Sequence, residues 1–278
     1  MNKLPILGAL VTLTLFQSCF RMRWPDDKAY ASFGKQSVPL QIMDTLIDGH
    51  RIHWVVSSRS DSLPTLVFIH GSPGSWFHYK NFMADADLGR KFRIVSMDRP
   101  GFGYSDFGNA LHLEEQARII VPILKSLKST KPIFLCGHSM GGPVVVKLAS
   151  DNPDMFKTIV IVAGSIDVVQ EKKERWRHLM GKPAFRWMLP GVFRPSNTEL
   201  LFLKKDLIPL QADFKNIRCN VRFVHGDKDT WVPIENVAFG QKMMVHAKSI
   251  QVDTLHGADH QVPWKRFQDL KGILMQLE

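Results

Sequence analysis

The chain has 278 residues, 45% of them hydrophobic and 22% charged, the balance of a folded globular protein rather than a disordered one. Lys and Arg outnumber Asp and Glu by 36 to 26, a net charge of +10 that permits attraction to anionic membranes, nucleic acid or acidic substrates. No basic arm, zinc-finger spacing or RNA-binding signature accompanies it, so no nucleic-acid partner is expected. The one long uncharged apolar run sits at the N-terminus, which excludes a polytopic membrane protein.

That run, Leu4 to Phe16, follows Lys3. A spanning helix needs ~20 apolar residues, so the run is short for a span and fits a secretory signal. Cleavage after Ser18 by an ordinary signal peptidase would leave bulky Phe16 where a small side chain is wanted. Leu15-Phe16-Gln17-Ser18-Cys19 instead resembles a bacterial lipoprotein box, whose cysteine is lipidated and becomes the first residue of the mature chain. The resemblance implies a signal peptide over residues 1–18, lipidation at Cys19, and attachment to a membrane of the bacterial cell envelope through that cysteine. Plain secretion, an uncleaved anchor and a buried N-terminal helix are the alternatives. Three acyl chains would exceed the two signals that stable anchoring needs. Residues 20–38 lack clean periodicity, so 19–38 reads as a tether ahead of one domain over 39–278.

Next, Gln41 to Ile47 and Arg51 to Ser57 read as a hairpin turning at Asp48-Gly49. Five short runs follow: Thr65–Ile69, Arg93–Met97, Ile133–Cys136, Thr158–Val162 and Val221–His225. Their β-branched content and their Gly, Pro or charged borders predict strands buried on both faces. Helical segments lie between and after them. Leu113 to Leu127 places Ala117, Ile120, Val121, Leu124 and Leu127 on one face, and Gly142–Ala149, Ile234–Met244 and Trp264–Leu277 are further candidates. A hairpin followed by repeated strand–helix units predicts an α/β fold, a mostly parallel central sheet with helices on both faces. In such a sheet Cys136 and Cys219 lie at opposite ends, beyond the ~7 Å between Cα atoms that a disulfide tolerates. Two unpaired, buried thiols are expected.

One segment breaks the rhythm. Residues 165–205 hold no clear strand and are interrupted by Pro183, Pro190 and Pro195. They carry nine Lys and Arg against four Asp and Glu, with Trp176, Phe185, Trp187, Phe193 and Phe202 interleaved. The segment reads as an insertion at the C-terminal edge of the sheet.

Gly137-His138-Ser139-Met140-Gly141 is G-x-S-x-G between an apolar strand and a helix, the context that gives this loose motif its meaning. A tight turn there exposes the serine hydroxyl above a helix N-terminus, whose partial positive charge favours a developing oxyanion. Serine needs a base, and the base an orienting acid. Downstream, His225-Gly226-Asp227-Lys228-Asp229 offers two carboxylates, and Asp253-Thr254-Leu255-His256-Gly257-Ala258-Asp259-His260 offers two histidines.

In this order the motifs resemble the α/β-hydrolase superfamily. The resemblance selects Asp229, three residues after Gly226 and followed by Val232-Pro233, as the acid. It selects His260, at the end of a G-x-x-H loop, as the base, and Ser139 as the nucleophile. His70-Gly71-Ser72-Pro73-Gly74 matches the family's H-G-x-P-G loop, so the backbone N–H groups of Ser72 and Met140 would form the oxyanion hole. Asp98-Arg99-Pro100-Gly101-Phe102-Gly103 matches a structural loop beside the site, and residues 165–205 resemble the family's cap. The cap's aromatics, with Trp76, Phe77 and Trp231, would line an acyl pocket, and its charge would hold it near anionic lipid headgroups.

A serine at the turn argues against the superfamily's haloalkane dehalogenases and epoxide hydrolases, which place Asp there. The turn also lacks the G-G-S-W-G form of proline iminopeptidases. The resemblance therefore implies a serine hydrolase that cleaves carboxylic esters of a small-molecule acyl substrate, with no cofactor or metal, since no ligand cluster has metal spacing. Another acyl bond (thioester, amide, peptide or C–C) and a non-catalytic lipid-anchored binding protein are the other readings.

Overall fold

The computed structural model describes residues 20–127, 131–172 and 174–278. The expected signal peptide and the Cys19 lipidation site lie outside the described residues. Eight strands form one sheet: β1 (Leu40–Ile47), β2 (His50–Ser57), β3 (Thr65–Ile69), β4 (Arg93–Met97), β5 (Ile133–His138), β6 (Thr158–Val162), β7 (Asn220–Gly226) and β8 (Ser249–Leu255). Their spatial order is β1-β2-β4-β3-β5-β6-β7-β8. β1 and β2 form the hairpin expected at Asp48-Gly49, and β2 pairs antiparallel with β4. Every pairing from β4 to β8 is parallel.

The period of two along a strand sorts its side chains onto two faces. In β3, Val67 and Ile69 enter one core while Leu66 and Phe68 enter the other, and in β6 Ile159 and Ile161 oppose Val160 and Val162. The first core lies under helices Leu113–Ser126 and Gly141–Asp151 and part of the long helix Phe193–Asp213. The second lies under helices Asp26–Lys35, Ala86–Lys91 and Phe267–Leu274. Each fully buried Leu, Ile or Phe contributes about 1.5–3 kcal/mol of transfer free energy, so a central strand with both faces covered is the most strongly held part of the chain. Cys136 and Cys219 are free and buried. They are separated by the sheet itself, Cys136 facing the second core and Cys219 the first.

The tether expectation for residues 20–38 is corrected. Asp26–Lys35 is a helix with Asp26 and Asp27 in its first turn and Lys35 in its last, which suits the helix macrodipole. It buries Ala29 and Phe33, one pair at i and i+4, too short a stripe to announce itself as periodicity. Ahead of it, Trp24 stacks on Trp76 at 5.5 Å, Arg23 donates from Nε to the Gly103 carbonyl at 2.6 Å, and the Phe20 carbonyl accepts from the Val192 N–H at 2.7 Å.

Between β6 and β7 the chain forms helices Arg175–Gly181, Pro183–Arg186 and Phe193–Asp213. Pro183 opens its helix and Pro195 falls in the first turn of the next, positions where a missing N–H is tolerated. The last of these helices continues to Asp213, past the edge expected at Lys205. Among the described residues, no helix is long and apolar enough to cross a membrane.

Candidate active site

Ser139 stands between β5 and helix Gly141–Asp151 with φ of 54°. The left-handed region is rare for a residue with a Cβ, and such strain is of order 1–3 kcal/mol, held in place by the surrounding structure. Three hydrogen bonds hold this turn. The Ser139 N–H donates to the Val162 carbonyl at 2.9 Å, and the Ser139 carbonyl accepts from Gly142 at 2.9 Å and from Ser165 at 3.4 Å. Glycine is required on both sides because the chain doubles back on itself. A Cβ on Gly137 would strike the Gly141 carbonyl, and one on Gly141 would strike the Ile69 carbonyl.

The loop after β7 brings up Asp229 and the loop after β8 brings up His260. His260 Nδ1 lies 2.7 Å from Asp229 Oδ2, while Asp229 Oδ1 accepts the N–H groups of Trp231 and Val232, each at 2.9 Å. The Asp229 side chain is fully buried and that of His260 is 8% exposed. Burial by itself would raise the Asp229 carboxyl, but the hydrogen bond and charge of His260 and the two N–H groups hold it below its ordinary value. An ionised Asp229 fixes His260 with a proton on Nδ1 and leaves Nε2 as its base nitrogen.

The two candidates that the sequence reading set aside meet each other instead. His256 Nδ1 is 3.1 Å from Asp227 Oδ2, on the exposed rim, and Asp227 also accepts the Gly257 N–H at 2.8 Å.

A cavity of about 380 Å³ joins these parts. Ser139, His260, Ser72 and Met140 all line it, so the residues expected as nucleophile, base and oxyanion hole share one space. The Ser72 side chain is turned to the cap, donating to Ser196 Oγ at 2.9 Å. Of the aromatics expected in the wall, Trp176, Phe193 and Trp231 are there. Trp76 is buried beneath Trp24, Phe77 packs against Trp24, Phe202 stacks on His112 outside the cavity, and Phe185 and Trp187 face solvent. Among the described residues, no cluster of three or more His, Cys, Asp or Glu could hold a metal ion.

Three further groups shape the site without having been singled out from the sequence. His138 donates from Nε2 to the His260 carbonyl at 2.9 Å, and its ring lies 4.8 Å from the His260 ring. Burial, with His260 beside it, pushes His138 down to about 3, so it stays neutral and holds the His260 backbone. Arg99 and Glu199, both fully buried, form an ion pair between the sheet and the long cap helix. The Arg99 guanidinium also donates to the carbonyls of His70 and Gly71, at 2.8 and 2.9 Å, and to Gln116 at 2.8 Å. The pair therefore ties the cap to the loop that carries Ser72. A faint signal existed, since Glu199 is the one acid between Glu174 and Asp206. The third is Glu171, a carboxyl in the cavity wall that accepts the Ser165 hydroxyl. Burial and the neighbouring Glu174 charge push it up to about 7, against Lys204 and Arg177.

A family model described as alpha/beta hydrolase fold matches residues 64–198. A solved structure, a hydrolase from Pseudomonas aeruginosa, superposes with a TM-score of 0.67 at 18% identity, covering 85% of this chain and 98% of that one. The chain has the α/β-hydrolase fold. Among curated relatives, epoxide hydrolase B of Mycobacterium tuberculosis is 32% identical over 116 residues, 40% of this chain and 32% of that protein. An sn-1-specific diacylglycerol lipase of Mus musculus is 30% identical over 125 residues, 45% of this chain and 37% of that one. The matches thus span about a third of the length of those two relatives.

Proposed function

We propose that this α/β-hydrolase is a serine esterase that works through an acyl-enzyme, with Ser139 as nucleophile, His260 as base and Asp229 as the acid that orients it. The observation carrying the proposal is the buried Asp229–His260 hydrogen bond set on the same cavity as Ser139 in its strained turn. His260 Nε2 takes the Ser139 proton as Oγ attacks the acyl carbon. The N–H groups of Ser72 and Met140 stabilise the oxyanion, helped by the N-terminus of helix Gly141–Asp151. The imidazolium then protonates the leaving alkoxide, and water, deprotonated by the same nitrogen, releases the acid.

The relatives' names divide between epoxide and ester chemistry. Ser139 favours the ester, because an acyl-serine is cleaved by a second attack at its own carbonyl carbon, whereas epoxide opening by serine would leave an ether with no such carbonyl. The apolar wall of Met140, Phe193, Leu200 and Leu203 suits an aliphatic acyl chain. By the same proposal the chain is exported and anchored to the cell envelope through lipidated Cys19, which a mass increment of a diacylglyceryl group on the envelope-extracted protein would establish.

The test is full-length protein in detergent with p-nitrophenyl esters from acetate to palmitate and with styrene oxide, beside Ser139→Ala, both labelled with a serine-reactive fluorophosphonate. Ester turnover and labelling that disappear in the variant are expected. Diol formation from the epoxide without ester turnover, or labelling that persists in Ser139→Ala, overturns the proposal.

A further inference from the structure

The cap bears the densest exposed apolar surface of the described residues. Trp176, Leu179, Phe185, Trp187, Met188 and Phe193 are each between 38% and 53% exposed. Large exposed side chains clustered this way mark a surface that meets something apolar. Their surroundings are cationic. Residues 172–194 hold seven Lys and Arg, among them Arg175, Lys182 and Arg186, against the single acid Glu174. Tryptophan and phenylalanine among basic side chains suit a bilayer interface, where rings sit at the headgroup boundary and long cationic side chains reach phosphate.

Two further observations favour a membrane over a protein partner. Phe20, the first described residue, stacks on Phe193 at 5.8 Å and its carbonyl accepts the Val192 N–H, so Phe20 is seated against the cap. The uncharged run Leu4–Phe16 precedes that point by only a few residues. Trp176 and Phe193 belong at once to this exposed face and to the wall of the Ser139 cavity.

We propose that this cap face is a docking surface for an anionic phospholipid bilayer, so that the cavity opens toward the lipid rather than toward bulk water. The orientation is independent of which bond the site cleaves. It also differs from anchoring alone, since a chain held only by its N-terminus would leave the cap wet.

The test uses the full chain with Cys19→Ser, which removes lipidation and leaves the two buried thiols as the other cysteines. An environment-sensitive fluorophore is placed on Met188→Cys in the cap and, separately, on Val245→Cys, an exposed site beside the opposite, N-terminal ends of the strands. Each protein is reconstituted in vesicles of phosphatidylcholine with about a third phosphatidylglycerol, carrying nitroxide-labelled lipid. Quenching at position 188 at least threefold above that at 245 is expected. It should fall when phosphatidylglycerol is omitted, when Arg175→Glu and Arg186→Glu are introduced, and at about 0.5 M salt, where the screening length drops to a few ångströms. Equal quenching at the two positions on vesicle-bound protein overturns the proposal. So does a label at 188 already protected without vesicles in a protein that sediments as a dimer, because the face would then be a contact between copies.

Discussion

The molecule contains two aspartate–histidine pairs, their aspartates two residues apart and their histidines four, that are opposite in character. Asp229–His260 is inside, with a fully buried carboxylate and a histidine 8% exposed. Asp227–His256 is outside, with a carboxylate 29% exposed and a histidine 86% exposed. Both bring Nδ1 to a carboxylate oxygen at about the same separation, 2.7 Å and 3.1 Å. What differs is the setting. The inner carboxylate is held by two N–H groups of its own loop, and the inner histidine by the His138 ring behind it. Shielded from water, such a pair keeps one tautomer and one orientation, whereas an exposed pair contributes a few tenths of a kcal/mol and exchanges freely with solvent. Contact is common to both pairs; enclosure belongs to one.

The sharpest way to break the comparison is to swap one atom in each pair. Asp229→Asn should lower kcat by about 10⁴-fold by releasing the tautomer of His260, whereas Asp227→Asn should change ester turnover less than twofold. Equal losses in steady-state assays would mean that enclosure is not what separates the pairs.

The next effect is on stability. Glu199→Ala leaves the Arg99 guanidinium buried without its carboxylate and should destabilise the fold by about 3–5 kcal/mol, read from urea midpoints. Glu199→Gln, which keeps one acceptor oxygen for the guanidinium, should recover part of that. Because Arg99 also holds the Ser72 loop, KM should rise in Glu199→Gln even where the protein is fully folded.

A smaller effect is tied to pH. Folding raises the Glu171 carboxyl from its ordinary value of 4.5 to about 7, so between these values the folded state binds the extra proton. Stability therefore falls as pH rises from about 4.5 to 7. Glu171→Gln should remove that slope and raise Tm at pH 8 by a few degrees, with no gain at pH 4; a scan of Tm against pH decides it. The smallest effect is that of His256→Ala, which should shift stability by no more than about 0.5 kcal/mol.

The strands of the sheet were legible because burial on both faces writes a short β-branched run between Gly and charge, as in Thr158–Val162. The turn at Ser139 was legible because close backbone approach admits only glycine at 137 and 141. Resemblance chose Asp229 over Asp227 and His260 over His256, and in the structure these two meet at 2.7 Å, with His260 on the cavity wall. What could not be read is what depends on residues far apart. Arg99 and Glu199 are 100 positions apart, and neither carries a local mark of its partner. The Asp26–Lys35 helix is held by what it lands on, since Trp24 and Phe33 find Trp76 and the second core. A helix stands where a tether is expected for that reason, and His138 carries no mark in the sequence because its bond is to a carbonyl 122 residues away.

The position of β8 has a consequence for how the protein loses activity. Ser139 follows a strand flanked on both sides, but His260 follows the strand at the rim of the sheet, joined to β7 alone. Rim strands are the first to detach in partial opening. Under mild denaturant the base should therefore leave the serine before the middle of the sheet melts, and enzymatic inactivation should run ahead of the loss of circular dichroism. Turnover would then act as a reporter of one hem of the fold, failing at the margin while the fabric behind it is still whole.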